Sequence, residues 1–206
     1  MIEITPKHYI SEGLARQVYI HPEQDNLCIK IGKPEIETEH LYKEIKYYEK
    51  IKEKNSSKFE YQFYAQYHGE IETNLGVGFV YDLVKDETTQ HISLTLRHYL
   101  EMEHSPIVDE SLTDGLARLK QQMIAHKVFA SDLRARNICC KILKDNSVNL
   151  VIIDGIGHRD FFPMADYMNH FAKKKVERRF EKAHLNSLAE QRAHIKKLRD
   201  RGDVLV

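Results

Sequence analysis

From Ser131 to Gly157 the chain reads SDLRARNICCKILKDNSVNLVIIDGIG. A polar loop is followed by two β-rich runs, NICCKIL and NLVIID, with the turn formers KDNS between them, so the stretch predicts a small hairpin. Asp132 and Asn137 fall in the loop that enters the hairpin, and Asp154 falls at the end of its second strand. Transfer of a phosphoryl group from ATP needs a carboxylate to orient the attacking hydroxyl and further oxygen ligands to hold Mg2+ against the phosphates. Asp132, Asn137 and Asp154 carry those groups, although an Asp and an Asn taken singly also read as a helix cap and a turn residue.

Upstream, VYI (Val18 to Ile20) and LCIKI (Leu27 to Ile31) flank HPEQDN and predict a hairpin with a medium loop. From Glu39 to Lys54 the residues Leu41, Ile45, Tyr48 and Ile51 recur at three and four, the period of an amphipathic helix. EYQFYAQYHGEIET and GVGFVYDLV return to strand composition, with the turn expected from Asn74 to Gly78. Beyond KDETTQ the character changes, and SLTLRHYLEM and LTDGLARLKQQMIAHK read as helices with hydroxyl or acidic starts. The order predicts an α+β chain: a small sheet with one helix to about Val84, then a mostly helical half.

Lys30 lies in CIKI on the third expected strand, and Glu44 lies in the helix that follows, fourteen residues on. SEGLARQVY keeps Gly13 and Val18 of a glycine-rich phosphate loop but has Ser11 and Arg16 where glycines are expected. Side chains there obstruct close approach of backbone amides to phosphate. Asp132 to Asn137 matches the D-x-x-x-x-N of a kinase catalytic loop, and Asp154-Gly155 matches the metal-binding D-F-G.

Taken in order from about Thr5 to Phe162, this set resembles a protein-kinase-like fold, and the short chain with D-G-I-G resembles the YrbL family of PhoP regulatory network proteins. The resemblance implies a two-lobed protein-kinase-like fold, with a small antiparallel-sheet N-lobe at 1–84 and a shortened, mostly helical C-lobe at 85–206 that includes a basic C-terminal segment. It implies that Lys30 contacts nucleotide phosphates, that Glu44 anchors Lys30, that Asp132 is the catalytic base, and that Asn137 and Asp154 hold Mg2+. FVYDLV resembles a hinge, so the backbone of Asp82 and Val84 would meet the adenine edge, with Val18 and Cys139 on its two faces; both also read as strand core. Ala130-Ser131 replaces the usual His-Arg before the base, no A-P-E follows Asp154, and 52 residues remain after it, so a platform for protein substrates is not expected.

Composition sets the outer bounds. Thirty-one basic and thirty-one acidic residues among 206 cancel, so no global field draws the chain to nucleic acid or anionic lipid. No apolar run approaches membrane-spanning length, and the first ten residues, MIEITPKHYI, lack signal-peptide character. Three cysteines, two of them adjacent, fit neither a disulfide framework nor zinc knuckles, and the twelve histidines show no metal-ligand spacing, so a reducing cytoplasm and no structural zinc are expected.

From Asp166 to Arg201 eleven Lys or Arg face five acids, with Phe171, Val176, Phe180, Leu188, Ile195 and Leu198 as expected buried positions. Such basic helices pack on the C-terminal half with a solvated face, or meet a phosphate-rich partner. The expected function is an ATP-dependent phosphotransferase acting on a small-molecule, sugar or protein hydroxyl. The alternatives are a nucleotide-binding regulator with weak or no catalysis and a basic nucleic-acid-binding module.

Overall fold

The computed structural model describes residues 1–35, 39–54, 63–157 and 169–201. These divide into two compact units. The first holds the described residues before 55 together with Ala65–Val84, and the second holds Phe63, Tyr64 and the described residues from Lys85 on.

The first unit is built on a five-stranded antiparallel sheet. Its strands are β1 (Tyr9–Glu12), β2 (Arg16–His21), β3 (Gln24–Gly32), β4 (Tyr67–Thr73) and β5 (Gly76–Asp82), in the spatial order β1-β2-β3-β5-β4. Side-chain alternation sends Leu27, Ile29 and Ile31 to one face, where they pack with Ile4, Tyr19 and Val80. Burying aliphatic side chains of this kind stabilises by about 1.5–3 kcal/mol each, which fixes the register of β3. The opposite face receives α1 (Glu39–Lys54), whose period-3.6 stripe buries Ile45, Tyr48 and Ile51. Tyr48 stands edge-on to Tyr81 at 5.6 Å, and Tyr42 stands edge-on to Phe79 at 5.8 Å.

Three details differ from the sequence reading. The HPEQDN segment is not a medium loop: β2 runs to His21 and β3 starts at Gln24, leaving Pro22 and Glu23 as the turn, with a bulge between Ile20 and His21. The β4–β5 turn is shorter than Asn74 to Gly78, because Thr73 already pairs with Gly76 and Gly78 lies in β5 opposite Ile31. Asn74 instead pins the N-terminal segment, accepting from the Ile4 amide at 2.7 Å and donating to the Ile4 carbonyl at 3.0 Å. Finally, EYQFYAQYHGEIET is not one strand: Phe63 and Tyr64 join the second unit, and the strand starts only at Tyr67.

The second unit contains α2 (Leu96–Glu101), α3 (Asp109–His126), the hairpin β6 (Ile138–Ile142) and β7 (Val148–Ile152), and two further helices, α4 (Asn169–Lys182) and α5 (Leu188–Asp200). The expected hairpin forms with Ile138 opposite Ile152 and Ile142 opposite Val148. Its KDNS turn closes through Asp145, which accepts from the amide and hydroxyl of Ser147 at 2.9 and 2.6 Å. Tyr64 bridges Ile152 in parallel, and the Ile152 amide donates to the Phe63 carbonyl at 2.9 Å. Helix α3 packs on β7 and α4, burying Leu112, Leu116, Leu119 and Met123.

Buried Asp86 ties the segment after Val84 to the hairpin, accepting from the Ser93 hydroxyl at 2.6 Å and the Ile142 amide at 3.0 Å. In α4 and α5, Val176, Phe180, Leu188 and Ile195 are buried as expected, whereas Phe171 is exposed and Leu198 is half-buried. No helix among the described residues is long and apolar enough to cross a membrane.

Candidate functional site

In the first unit, Lys30 sits mid-strand in β3, opposite Val18 of β2 and Phe79 of β5. Its side chain is buried, with Nζ 4.4 Å from the centroid of the Tyr81 ring. An ammonium out of water needs an electron-rich surface, and the ring face supplies one.

Glu44 of α1 forms an ion pair with Arg16 of β2 at 3.0 Å, and the two side chains are only 13% and 11% exposed. Arg16 occupies the last glycine position of the phosphate-loop pattern, so the side chain that degrades the pattern has a partner in the helix behind it. Gly13 lies in the β1–β2 turn, its amide donating to the Arg16 carbonyl at 2.8 Å. A Cβ there would meet only that oxygen, at 4.0 Å, so the turn has open space above it and no steric demand for glycine.

Toward the end of β5, the Asp82 carboxylate accepts from the Gln66 amide at 2.8 Å and meets His68 Nε2 at 2.6 Å. The Asp82 amide donates to the Gln66 carbonyl at 3.0 Å, and the Asp82 carbonyl receives the Cys28 thiol at a long 3.6 Å. Burial pushes the Cys28 thiol up to about 11. Val84, just beyond the strand, is buried, and Val18 is half-buried.

In the second unit, the two segments quoted at the outset are joined along their backbones. The Gly155 carbonyl accepts from the Ser131 amide at 2.8 Å, the Ser131 hydroxyl at 3.2 Å and the Asp132 amide at 3.4 Å. Ala130 bridges Ile156, the Gly157 amide donates to the Phe129 carbonyl at 2.8 Å, and the Ile153 amide donates to the Asn137 carbonyl at 2.8 Å. Asn137 is buried, and its side-chain nitrogen donates to the Asp132 carbonyl at 3.0 Å. Asp132, Asn137 and Asp154 therefore belong to one hydrogen-bonded loop pair. Helix α4 backs it: Arg179 donates to the Ser131 carbonyl at 3.3 Å, and Lys175 Nζ lies 4.4 Å from the centroid of Phe129.

Sequence spacing passes over two arginines that the structure brings to this loop. Arg134 grips both oxygens of Asp132 through Nε and Nη2. Those hydrogen bonds push the Arg134 guanidinium further up, and the carboxylate of Asp154 adds to the effect. Arg136 is pulled down, first by burial and then by the charge of Arg134. Both residues occupy free positions of D-x-x-x-x-N, so the motif carries no information about them.

Cys139, the fourth residue after Ala135, is buried in β6, with its thiol donating to the Ser93 carbonyl at 3.4 Å.

Among the described residues, no group of three or more His, Cys, Asp or Glu is placed to hold a metal ion. Asp154 and Asn137 each carry an oxygen donor, the ligand type that a hard cation such as Mg2+ takes. The Asn137 amide fits this use. Its nitrogen is already donated to the Asp132 carbonyl, which leaves Oδ1 as its acceptor atom.

A hydrogen-bonded loop pair of this kind, on a mixed α+β chain, is the setting in which the comparisons with known proteins fall. The chain belongs to the family of the PhoP regulatory network protein YrbL, whose family model matches residues 2–187. It is 27% identical over 180 residues to YrbL of Escherichia coli (strain K12), covering 86% of this chain and 84% of that protein. YrbL of Shigella flexneri matches with the same identity and coverage.

Proposed function

We propose that this chain is an ATP-dependent phosphotransferase of two-lobed, kinase-like build, with 1–84 as the N-lobe and 85–206 as the C-lobe, serving a regulatory network of the kind its family is named for. The observation that supports the reading most is the joining of loop 131–137 to Ile153–Gly157, which puts Asp132, Asn137 and Asp154 on one rigid backbone frame.

In this reading Asp132 orients the acceptor hydroxyl and takes its proton. The acceptor oxygen forms a bond to the γ-phosphorus, the bond from that phosphorus to the bridging oxygen breaks, and ADP leaves with the electron pair. Asn137 and Asp154 would hold Mg2+, whose chemistry there is to neutralise phosphate charge. Lys30 meets the phosphates from beside Tyr81, and Glu44 anchors it. The Gly13 turn leaves space for the phosphates. The backbone of Asp82 and Val84 meets the adenine edge, with Val18 and Cys139 on its faces. Pre-set oxygens and cations of this kind need no rearrangement as charge develops.

Thermal melting with ATP and Mg2+ tests binding, because a ligand that prefers the native state raises its stability. Phosphate release then tests chemistry. Asp154→Ala is expected to remain folded and to lose both the Mg2+-dependent melting shift and turnover; turnover at the wild-type rate in that variant removes the assignment.

The grip of Arg134 on Asp132 favours a second reading, a nucleotide-binding regulator with little catalysis, since the guanidinium occupies one lone pair on each carboxylate oxygen and an acceptor hydroxyl has to compete for the rest. Its signature is an ATP-dependent melting shift without phosphate release.

A further inference from the structure

Four guanidinium groups gather around loop 131–137, one of them Arg179 of α4, which donates to the Ser131 carbonyl at 3.3 Å. Arg134 and Arg136 come from the loop itself, and Arg97 comes from α2, which packs against the turn Ala135–Asn137. Three of the four, all but Arg136, are committed. Arg134 holds both oxygens of Asp132, and Arg97 places Nε and Nη2 on Oε1 of Glu101, both at 3.0 Å. Arg199 of α5 also reaches Glu101, at 3.8 Å.

Arg136 differs from these neighbours. It is half-buried, and among the described residues it has neither a hydrogen bond nor an ion pair; burial and the repulsion of Arg134 and Arg97 outweigh the attraction of the Asp132 and Asp154 carboxylates nearby. Counting Arg97, Arg134, Arg136, Arg179 and Arg199 against Asp132, Asp154 and Glu101 leaves two net positive charges, five minus three.

A guanidinium partly removed from water, beside like charges and without an acceptor, is in an unfavourable position until an anion arrives. Its planar fork matches two oxygens of a phosphate group better than a single acceptor does. Arg136 is also adjacent in the chain to Asn137 and four residues beyond Asp132, so an anion held there lies close to the group that would orient the acceptor hydroxyl.

We propose that Arg136 binds a phosphate monoester carried by the acceptor, making the substrate a small hydroxyl compound that is already phosphorylated. The word acceptor rests on the phosphotransferase reading; the anion site does not.

The test is thermal melting of the full chain in sodium phosphate against sodium chloride at matched ionic strength, with wild type, Arg136→Gln and Arg136→Lys. Phosphate is expected to raise the wild-type midpoint beyond the chloride control. Arg136→Gln should need about tenfold more phosphate for the same shift, with Arg136→Lys between the two. Glycerol 3-phosphate should act as phosphate does, and glycerol should give no shift.

A wild-type chain that responds to phosphate no more than to chloride, or an Arg136→Gln variant that responds as wild type does, overturns the site. ATP with Mg2+ is run on the same proteins. If ATP gives no shift in wild type while phosphate does, the phosphotransferase reading fails and the anion site stands. If the ATP shift falls in Arg136→Gln in step with the phosphate shift, Arg136 belongs to the nucleotide cradle and the acceptor assignment is overturned.

Discussion

Gly155 and Asp132 meet backbone to backbone: a Cβ built on Gly155 would stand 2.8 Å from the Asp132 carbonyl oxygen and 2.9 Å from the Asp132 Cβ. Gly155 also has φ +74, a conformation that L side chains rarely adopt. The glycine of D-G-I-G is therefore required twice, by its own dihedral angles and by the loop it touches.

Replacing Gly155 with Ala is expected to destabilise the protein by roughly 2–4 kcal/mol, combining the left-handed penalty with the overlap against Asp132. Urea denaturation measures this directly. A loss below about 1 kcal/mol would mean that the two loops separate at little cost and do not form a rigid frame.

Asp86 carries a comparable structural role away from the candidate site. Asp86→Ala strands the Ser93 hydroxyl and the Ile142 amide in the interior, at a cost of about 3 kcal/mol, while Ser93→Ala removes a single donor and should cost nearer 1 kcal/mol. The ratio of the two changes in denaturation midpoint is the check.

The buried Cys28 thiol gives an alkaline dependence whose sign is fixed. Burial raises its pKa from 9.0 to about 11, so above pH 9 the unfolded chain loses a proton that the folded chain retains. Its contribution is fully present below pH 9 and is lost progressively as pH rises through about 11, up to about 3 kcal/mol in total. The stability of Cys28→Ala should fall less steeply across that window, and an equal slope in the two proteins would contradict the assignment. Thiol labelling at pH 8 should likewise be slow at Cys28 and at Cys140, whose thiol burial also pushes up.

Helix α5 depends on its cap. Ser187 accepts from the Glu190 amide at 3.2 Å, and Ser187→Ala should cost about 1 kcal/mol by thermal or chemical denaturation. Ser187→Asp should retain most of that stability, because its carboxylate accepts the same amide and faces the positive end of the helix.

The sequence is most legible where the signal is local. Leu41, Ile45, Tyr48 and Ile51 place α1 at Glu39–Lys54, and the β-branched runs around KDNS place the β6–β7 hairpin. Local patterning is weaker at boundaries. Pro22 and Glu23 form a tight turn because β2 and β3 extend their pairing into residues that look like loop formers. Phe63 and Tyr64 have strand composition but are recruited by β7, a partner nearly ninety residues away. In the candidate site, Asp132, Asn137 and Asp154 are legible as a spaced set of oxygen-bearing side chains. Arg134 and Arg136 are not, because a motif fixes only its named positions.

What the sequence alone determined is the order of strands and helices and the residue types available for chemistry, since both follow from periodicity and from side chains a few positions apart. Tertiary structure alone decided that Arg16 meets Glu44, that one carbonyl of Gly155 gathers three donors, and that Arg136 stands near Arg134 and Arg97 without an ion pair among the described residues. These pairings join residues from separate strands, helices and loops. Which charge finds which partner depends on how the packed elements bring distant side chains within a few ångströms, and no local pattern encodes that distance.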